Sequence, residues 1–358
     1  MTHATTTGAT ADGGAPGITW RRNVVACGFS WRKRSLVRDF TGLRDLHFGA
    51  VPPDAGPDTD LLLWGSAPVP AGVSPAVRVV WLEDGFVRSV GLGADLVRPV
   101  SWVLDTRGIY YDARSPSELE DLLQHGEFSP QLLGRAQALR QQIVQTGLSK
   151  YNIGGAPWRR PDTVRPVVLV IGQVETDASI ATGTLDIRTN MALLRAVRQV
   201  RPDAWLLYKP HPDVEAGLRG QGAGEENAAQ WADEVLTRGA VAQIIPLVDE
   251  LHVMTSLAGF EALLREKPVF CYGQPFYAGW GLTHDRHANP RRNRKLELDA
   301  LVAAALLLYP VYVEGASRRR CTPEQALQDL AALRDTRTGT GGQVAWWRRL
   351  LRPLLSRP

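Results

Sequence analysis

The sequence predicts an α/β protein of two units, each a parallel sheet with helices on both faces, and three observations predict it. At 358 residues the chain is longer than one hydrophobic core usually fills, which favours two domains. Short apolar runs rich in β-branched residues recur, and each stops at a polar or glycine-rich turn. Stretches of helical period lie between them, and strands alternating with helices imply parallel sheets covered on both sides.

In the first unit the strands are expected at 24–27 before Gly28, 61–64 before Gly65, and 77–82 before Glu83-Asp84-Gly85. In the second they are expected at 167–171, 204–209, 251–255 and 269–272. A helix over 115–124 would start at Ser115, with Pro116 in its first position and Glu118 closing a capping box. In 131–146, Leu132, Ala136, Leu139 and Ile143 repeat on one helical face. Periodicity breaks at SKYNIGGAPWRRPD near 150–165, where the interlobe linker is placed. The expected organisation is a disordered leader over 1–18, a first lobe over 19–150, a second over 151–335 and a basic amphipathic tail over 336–358. A further loop is expected at 216–228.

Composition narrows the class. A hydrophobic content of 44% with 22% charged residues is that of a soluble globular protein, and a formal charge of +4 does not by itself indicate nucleic acid. Cys27, Cys271 and Cys321 lack metal-ligand spacing and read as reduced thiols of a cytoplasmic protein. The Thr/Ala/Gly-rich start carries no apolar signal region, and no run reaches the roughly 18 apolar residues that a spanning helix needs.

The candidate site residues fall at strand ends, where open parallel sheets bind ligands. Glu83 and Asp84 put two carboxylates on one bend, suited to general acid or base work or simply to an acidic turn. Arg88 follows closely and suits an anion. Gln173 and Asp177 follow a very apolar strand; Asp177 is either a nucleophile for an anomeric carbon or a helix N-cap. In Lys209-Pro210-His211-Pro212 the prolines hold His211 extended, where it and Lys209 suit a nucleotide phosphate, or where His211 is a satisfied structural residue. Ser256 and Gly259 open a helix suited to phosphate, with Glu261 one turn in for ribose hydroxyls, although a capped structural helix reads the same. The loop from Tyr272 to Asp285 interleaves aromatics with glycine, and Arg291, Arg292, Arg294 and Lys295 read as a solvated patch.

These motifs resemble the bacterial capsule β-Kdo glycosyltransferases of the KpsC type. The matching stretches are GFSWRKR at 28–34, EDGFVRSVGLGADLVRP at 83–99, GIYYDA at 108–113, SKYN at 149–152, GQVETDASI at 172–180, KPHPDV at 209–214 and TSLAGFEALLREKPVFCYGQPFYAGWGLTHD at 255–285. The resemblance spans roughly 24–325. It implies two Rossmann-like lobes in a GT-B-like arrangement and a retaining transfer from CMP-Kdo, held mainly by the second lobe. By motif position Asp177 would be the nucleophile of a covalent Kdo adduct, Glu83 or Asp84 the acid/base, and His211 the partner of the CMP phosphate. Ser256 and Glu261 would bind nucleotide. CMP already activates the donor, so neither a metal nor a cofactor is implied.

The implied partners are CMP-Kdo, a phosphatidylglycerol-type lipid or growing oligo-Kdo acceptor at the inner face of the cytoplasmic membrane, and capsule assembly proteins; nucleic acid is not among them. Many family members carry two transferase modules, whereas this chain has room for one. A catalytically silent glycan- or nucleotide-binding protein of capsule assembly is the competing class, and another nucleotide-sugar enzyme on the same fold is a third. The tail WWRRLLRPLL at 346–355 suits either a peripheral contact with the anionic inner membrane or packing back on the lobes.

Overall fold

The computed structural model describes residues 18–90, 97–150, 157–215, 217 and 219–339. The leader through residue 17, the tail from 340 onward, and parts of the linker and of the 83–99 and 149–152 motifs therefore lie outside the described residues. In chain order the first lobe carries β1 (Asn23–Ala26), α1 (Trp31–Thr41), β2 (His47–Phe48), β3 (Thr59–Trp64), β4 (Arg78–Asp84), β5 (Ser101–Asp105), α2 (Glu118–His125) and α3 (Pro130–Thr146). The second begins with β6 (Val167–Ile171), α4 (Ala178–Gly183), α5 (Asn190–Val200), β7 (Trp205–Lys209) and α6 (Pro212–Glu215). It continues with β8 (Glu234–Val235), α7 (Val241–Ile244), β9 (Glu250–Val253), α8 (Ala258–Leu263), β10 (Val269–Cys271), β11 (His284–Asp285) and α9 (Leu298–Val302). A π-helical turn, Ala303–Leu308, leads to β12 (Pro310–Tyr312) and α10 (Pro323–Gly339).

All seven strands read from the sequence are present within a residue or two of their expected ends. The second sheet, ordered β11-β10-β9-β6-β7-β8, is parallel throughout. The first, ordered β12-β5-β4-β3-β1-β2, is mixed, which corrects the expectation of a parallel sheet. Strand β5 runs antiparallel to β4, with Glu83 opposite Val103, and β12 runs antiparallel to β5, with Val311 opposite Trp102. The described residues between β4 and β5 hold no crossover helix, and an antiparallel neighbour needs none. Because β12 belongs to the first sheet, the chain crosses back after the second lobe, and the span 151–335 is not a single unit.

Two helices show how local signals acted. α2 starts two residues later than the Ser115-Pro116 reading: Ser117 is its cap, accepting from the Glu120 N–H at 3.1 Å. Glu118 turns away from a capping box and accepts from the Thr106 N–H at 2.9 Å. α3 keeps its face, with Ala136, Leu139 and Ile143 buried and Leu132 half-buried, between a Ser129 cap and a left-handed Gly147.

The lobes share one core. Phe86, Ile109, Leu119 and Leu139 of the first pack in a cluster with Leu169, Leu251, Phe260 and Trp280 of the second. The aromatic-glycine loop joins this packing, with the rings of Phe276 and Phe86 4.4 Å apart. The arginines after it are no solvated patch. Glu120 on α2 accepts from Arg291 at 2.5 Å and from Arg292 at 2.9 Å, and Arg292 also donates to the Pro275 and Ala278 carbonyls. Arg294 donates to the Gly126 carbonyl at 2.7 Å. These bonds let the nearly inaccessible Arg292 guanidinium stay charged between the lobes.

Candidate active site

Strand β4 carries Glu83 and Asp84 to the carboxyl edge of the first sheet, and the two then part company. Asp84 is absorbed by the fold: it accepts from Arg88 Nε at 2.6 Å and from Trp102 Nε1 at 3.2 Å. Arg88, buried, also donates to Ser89 Oγ and the Val97 carbonyl, and so braces the turn. Glu83 keeps a partly open residue surface while its carboxyl group is enclosed by protein. Burial, with Asp84 adjacent, pushes it up to about 7, although the Asp84 N–H at 2.8 Å and the Lys150 and Lys33 charges oppose the shift. Gly65, at φ +57°, shows how close its surroundings are. A Cβ there would stand 3.0 Å from Tyr111 Oη and 3.1 Å from Glu83 Oε2, so phenol and carboxyl lie side by side over a position that needs glycine.

Lys33 reaches the same place from α1. Its ammonium lies over the Trp64 ring, 3.2 Å from the centroid. Burial pushes it down to about 8 against the pull of Glu83 and Asp84. An acid and an amine both close to neutrality therefore sit at one strand end, a setting in which a proton moves at little cost.

In the second lobe β6 lies between β7 and β9, so the segments after all three meet at one edge. Gln173 ties two of them together: its amide donates to Thr255 Oγ1 at 3.1 Å and accepts from the Thr255 N–H at 2.8 Å. It clamps the two loops together. Lys209, 3% exposed at its side chain, gives its ammonium to both oxygens of Glu215, at 2.8 and 2.9 Å, and is likewise spent. His211 is not. Its Nδ1 accepts the Asp213 N–H at 3.1 Å, which leaves the proton on Nε2, and burial lowers its pKa and keeps the ring neutral. It is a hydrogen-bond donor of fixed tautomer just after β7.

The expected phosphate helix is short. α8 has six residues and begins after Leu257, and Ser256 Oγ accepts from the Ala258 N–H at 3.3 Å. Gly259 faces Tyr277, whose hydroxyl a Cβ would meet at 2.2 Å, so this glycine admits a phenol rather than a phosphate. Tyr277 in turn donates to the Ser256 carbonyl. Glu261 is buried, its carboxyl pushed up by desolvation, and it accepts the Lys150 N–H at 2.9 Å. It fastens the end of the first lobe instead of facing ribose.

Asp177 is exposed and caps α4 through the Ser179 N–H at 2.9 Å, so the cap reading is correct. It does not exhaust the residue. Thr182 on α4 shares its hydroxyl proton between the Ala178 carbonyl at 2.8 Å and the Tyr111 carbonyl at 3.1 Å, the second of which helps seat the helix against the first lobe. The charges of Glu83 and Asp177 both act on the Tyr111 phenol, and Asp177 acts on His211 too. Glu83, Tyr111, Asp177 and His211 are thus linked by electrostatic interactions that run from the first lobe to the second. Lys150 supplies a cation whose field reaches Glu83, His211 and Glu261. Lys33, Tyr111 and Lys150 were missed among the candidate residues, although GFSWRKR, GIYYDA and SKYN contain them.

The set therefore comprises an exposed carboxylate, a carboxyl that titrates near neutrality and a neutral imidazole donor, with the Lys33 and Lys150 charges within electrostatic reach.

Comparison with known proteins places the chain in a family. Residues 71–156 and 157–316 match the family described as capsule polysaccharide biosynthesis protein. The chain is 43% identical over 288 residues to the capsule polysaccharide modification protein LipA of Neisseria meningitidis serogroup B, covering 80% of this chain and 41% of LipA. It thus spans about two fifths of LipA's length. It is 39% identical over 322 residues to the lipopolysaccharide-processing protein LpsZ of Rhizobium meliloti, covering 87% and 72% of the two chains. Among solved structures, the β-Kdo 2,7 transferase of Thermosulfurimonas dismutans KpsC is similar with a TM-score of 0.74 at 38% identity, covering 87% of this chain and 99% of that one. The β-Kdo 2,4 transferase of the same protein gives 0.73 at 31%, covering 86% and 97%. The chain accordingly belongs to the capsule polysaccharide biosynthesis protein family, as a KpsC-type member with a GT-B-like α/β fold.

Proposed function

We propose that the protein is a retaining β-Kdo transferase that uses CMP-Kdo to build an oligo-Kdo linker on a phosphatidylglycerol-type lipid, at the inner face of the cytoplasmic membrane. The observation that carries this reading is the placement of Glu83 and Asp177 on opposite lobes, each within electrostatic reach of Tyr111. The similarity to two Kdo transferases supports the sugar, and the higher identity to the 2,7 enzyme favours that linkage.

In the first step the Asp177 carboxylate attacks the anomeric carbon of Kdo, and the bond to the CMP phosphate breaks with its electron pair on the phosphate oxygen. His211 Nε2–H is suited to donate a hydrogen bond to that phosphate, with the Lys150 charge nearby. In the second step the acceptor hydroxyl attacks the same carbon, Glu83 takes its proton, and the Asp177 carboxylate departs. Two displacements return the starting configuration.

Incubation with CMP-Kdo and a lipid or oligo-Kdo acceptor tests the reading by product analysis. Release of CMP with a β-linked Kdo product is expected. Preferential turnover of a UDP-hexose rejects the donor, and binding of CMP-Kdo without turnover in the presence of acceptor favours a silent binding protein.

A further inference from the structure

Helix α1 shows two unlike faces. Lys33, Val37 and Phe40, spaced by four and three, look inward: Val37 and Phe40 are fully buried, and Lys33 lies over the Trp64 ring within electrostatic reach of Glu83. Trp31, Arg34 and Arg38, spaced by three and four, look outward and all are exposed, Trp31 by 70%. The guanidinium groups of Arg34 and Arg38 both rest on the Phe48 ring, 5.3 and 4.9 Å from its centroid, which keeps them ordered at the surface. The helix's one acid, Asp39, is paired with Arg98 and does not neutralise the outer face. At the far end Arg320 donates to the Phe40 and Thr41 carbonyls at 3.2 Å, which brings its exposed turn with Arg319 beside the helix and extends the positive edge.

We propose that the outer face of α1 is a docking surface for an anionic lipid bilayer, with Trp31 at headgroup level and Arg34 and Arg38 on lipid phosphates. An indole left this far in water gains most where a polar surface overlies an apolar layer, and arginines flanking it complement anionic headgroups. A polynucleotide fits less well, because the Arg32 guanidinium, 5.1 Å from the Trp31 ring, occupies one of the two ring faces on which a base would stack. Since Lys33 of the same helix reaches Glu83, docking through α1 brings the candidate active site to the bilayer surface. This surface goes beyond the reaction proposed above, and its test needs no substrate.

The experiment is sedimentation of the full chain with phosphatidylcholine vesicles, with and without about one third phosphatidylglycerol. Preferential binding to the anionic vesicles is expected. The variant carrying Trp31→Ala, Arg34→Gln and Arg38→Gln should bind them at least about tenfold more weakly, given on the order of one kcal/mol per basic residue near such a surface. The variant carrying Arg34→Lys and Arg38→Lys should retain most of the binding. Thermal melting checks the fold; if the triple variant melts early, Trp31→Ala and Arg34→Gln singly, each expected about threefold to fivefold weaker, decide instead. Equal binding by wild type and variant, indifference to phosphatidylglycerol, or tighter binding to an oligouridylate than to the vesicles would overturn the proposal.

Discussion

Thr182 Oγ1 lies 3.1 Å from the Tyr111 carbonyl of the first lobe and 2.8 Å from the Ala178 carbonyl of its own helix, so its one proton is shared between the two, and this hydroxyl is one of the links between the segments that carry the two candidate catalytic carboxyls. Thr182 lies on the helix that Asp177 caps, and Tyr111 carries its phenol beside Glu83. The proposed nucleophile and base belong to different lobes, so their separation is set by how the lobes meet.

Replacing Thr182 with valine keeps the volume and removes the bond. Turnover should fall about tenfold to a hundredfold, because misplacement of a reacting group by around an ångström costs that much. The KM for the donor should change little. Steady-state kinetics separates the two, and an unchanged turnover number would show that packing alone holds α4 in place.

Asp177→Asn preserves the cap, since asparagine caps helices as well as aspartate does. The variant should melt with wild type and bind CMP, yet lose about 10³-fold or more of its transfer activity. Asp177→Ala should lose both activity and about 1 kcal/mol of stability. Mass spectrometry of a Glu83→Gln enzyme incubated with CMP-Kdo should reveal one added Kdo mass on the Asp177 peptide. Full activity of the asparagine variant would leave Asp177 a cap and nothing more.

Glu83 makes stability and activity pull in opposite directions. The folded chain holds its proton up to about pH 7, against an ordinary value of 4.5, so between those values the folded state binds a proton that the unfolded state has released. Stability contributed by this group is therefore present below pH 4.5 and is lost as the pH rises through 7. Glu83→Gln should be more stable than wild type at pH 8 by on the order of 1–3 kcal/mol, with the difference vanishing near pH 4. Transfer should be nearly abolished. If Glu83 is the base proposed above, the wild-type rate should climb through pH 7. Denaturation curves at the two pH values and a pH–rate profile check both halves.

Glu120→Gln removes the carboxylate that neutralises Arg291 and Arg292 between the lobes. The Arg292 side chain is 3% exposed, so its charge would be left buried with carbonyl partners alone. A loss of about 3–5 kcal/mol is expected, read from urea denaturation. A loss under 1 kcal/mol would mean that the carbonyls suffice.

The legible parts of the fold were those whose signal is local. Strand β6, an unbroken VVLVI, could hardly be anything else, and the face of α3 followed from Ala136, Leu139 and Ile143. β5 was missed because SWVLD is short and ends in polar residues. Its burial on both faces depends on neighbours that the segment itself does not specify. The antiparallel turn into β5 and the return of β12 left no local trace. In the site, position at strand ends singled out Glu83, Asp177 and His211. The same rule also selected Gln173, Lys209, Arg88 and Glu261, whose polar groups find partners inside the protein; for Gln173 and Glu261 those partners are 82 and 111 residues away. Lys33, Tyr111 and Lys150 escaped because none ends a strand recognised from the sequence.

Strand β12 also imposes an order of manufacture. A ribosome emits these residues in order of their numbers, and every other strand of the first sheet is complete by Asp105. The outer edge of β5, with Trp102 and Val103 destined for full burial, then waits for Pro310-Val311-Tyr312. Some two hundred residues, including the whole second sheet, are synthesised in the interval. An open edge of this kind invites pairing with other chains until it is covered. The first lobe is thus the later of the two to be closed.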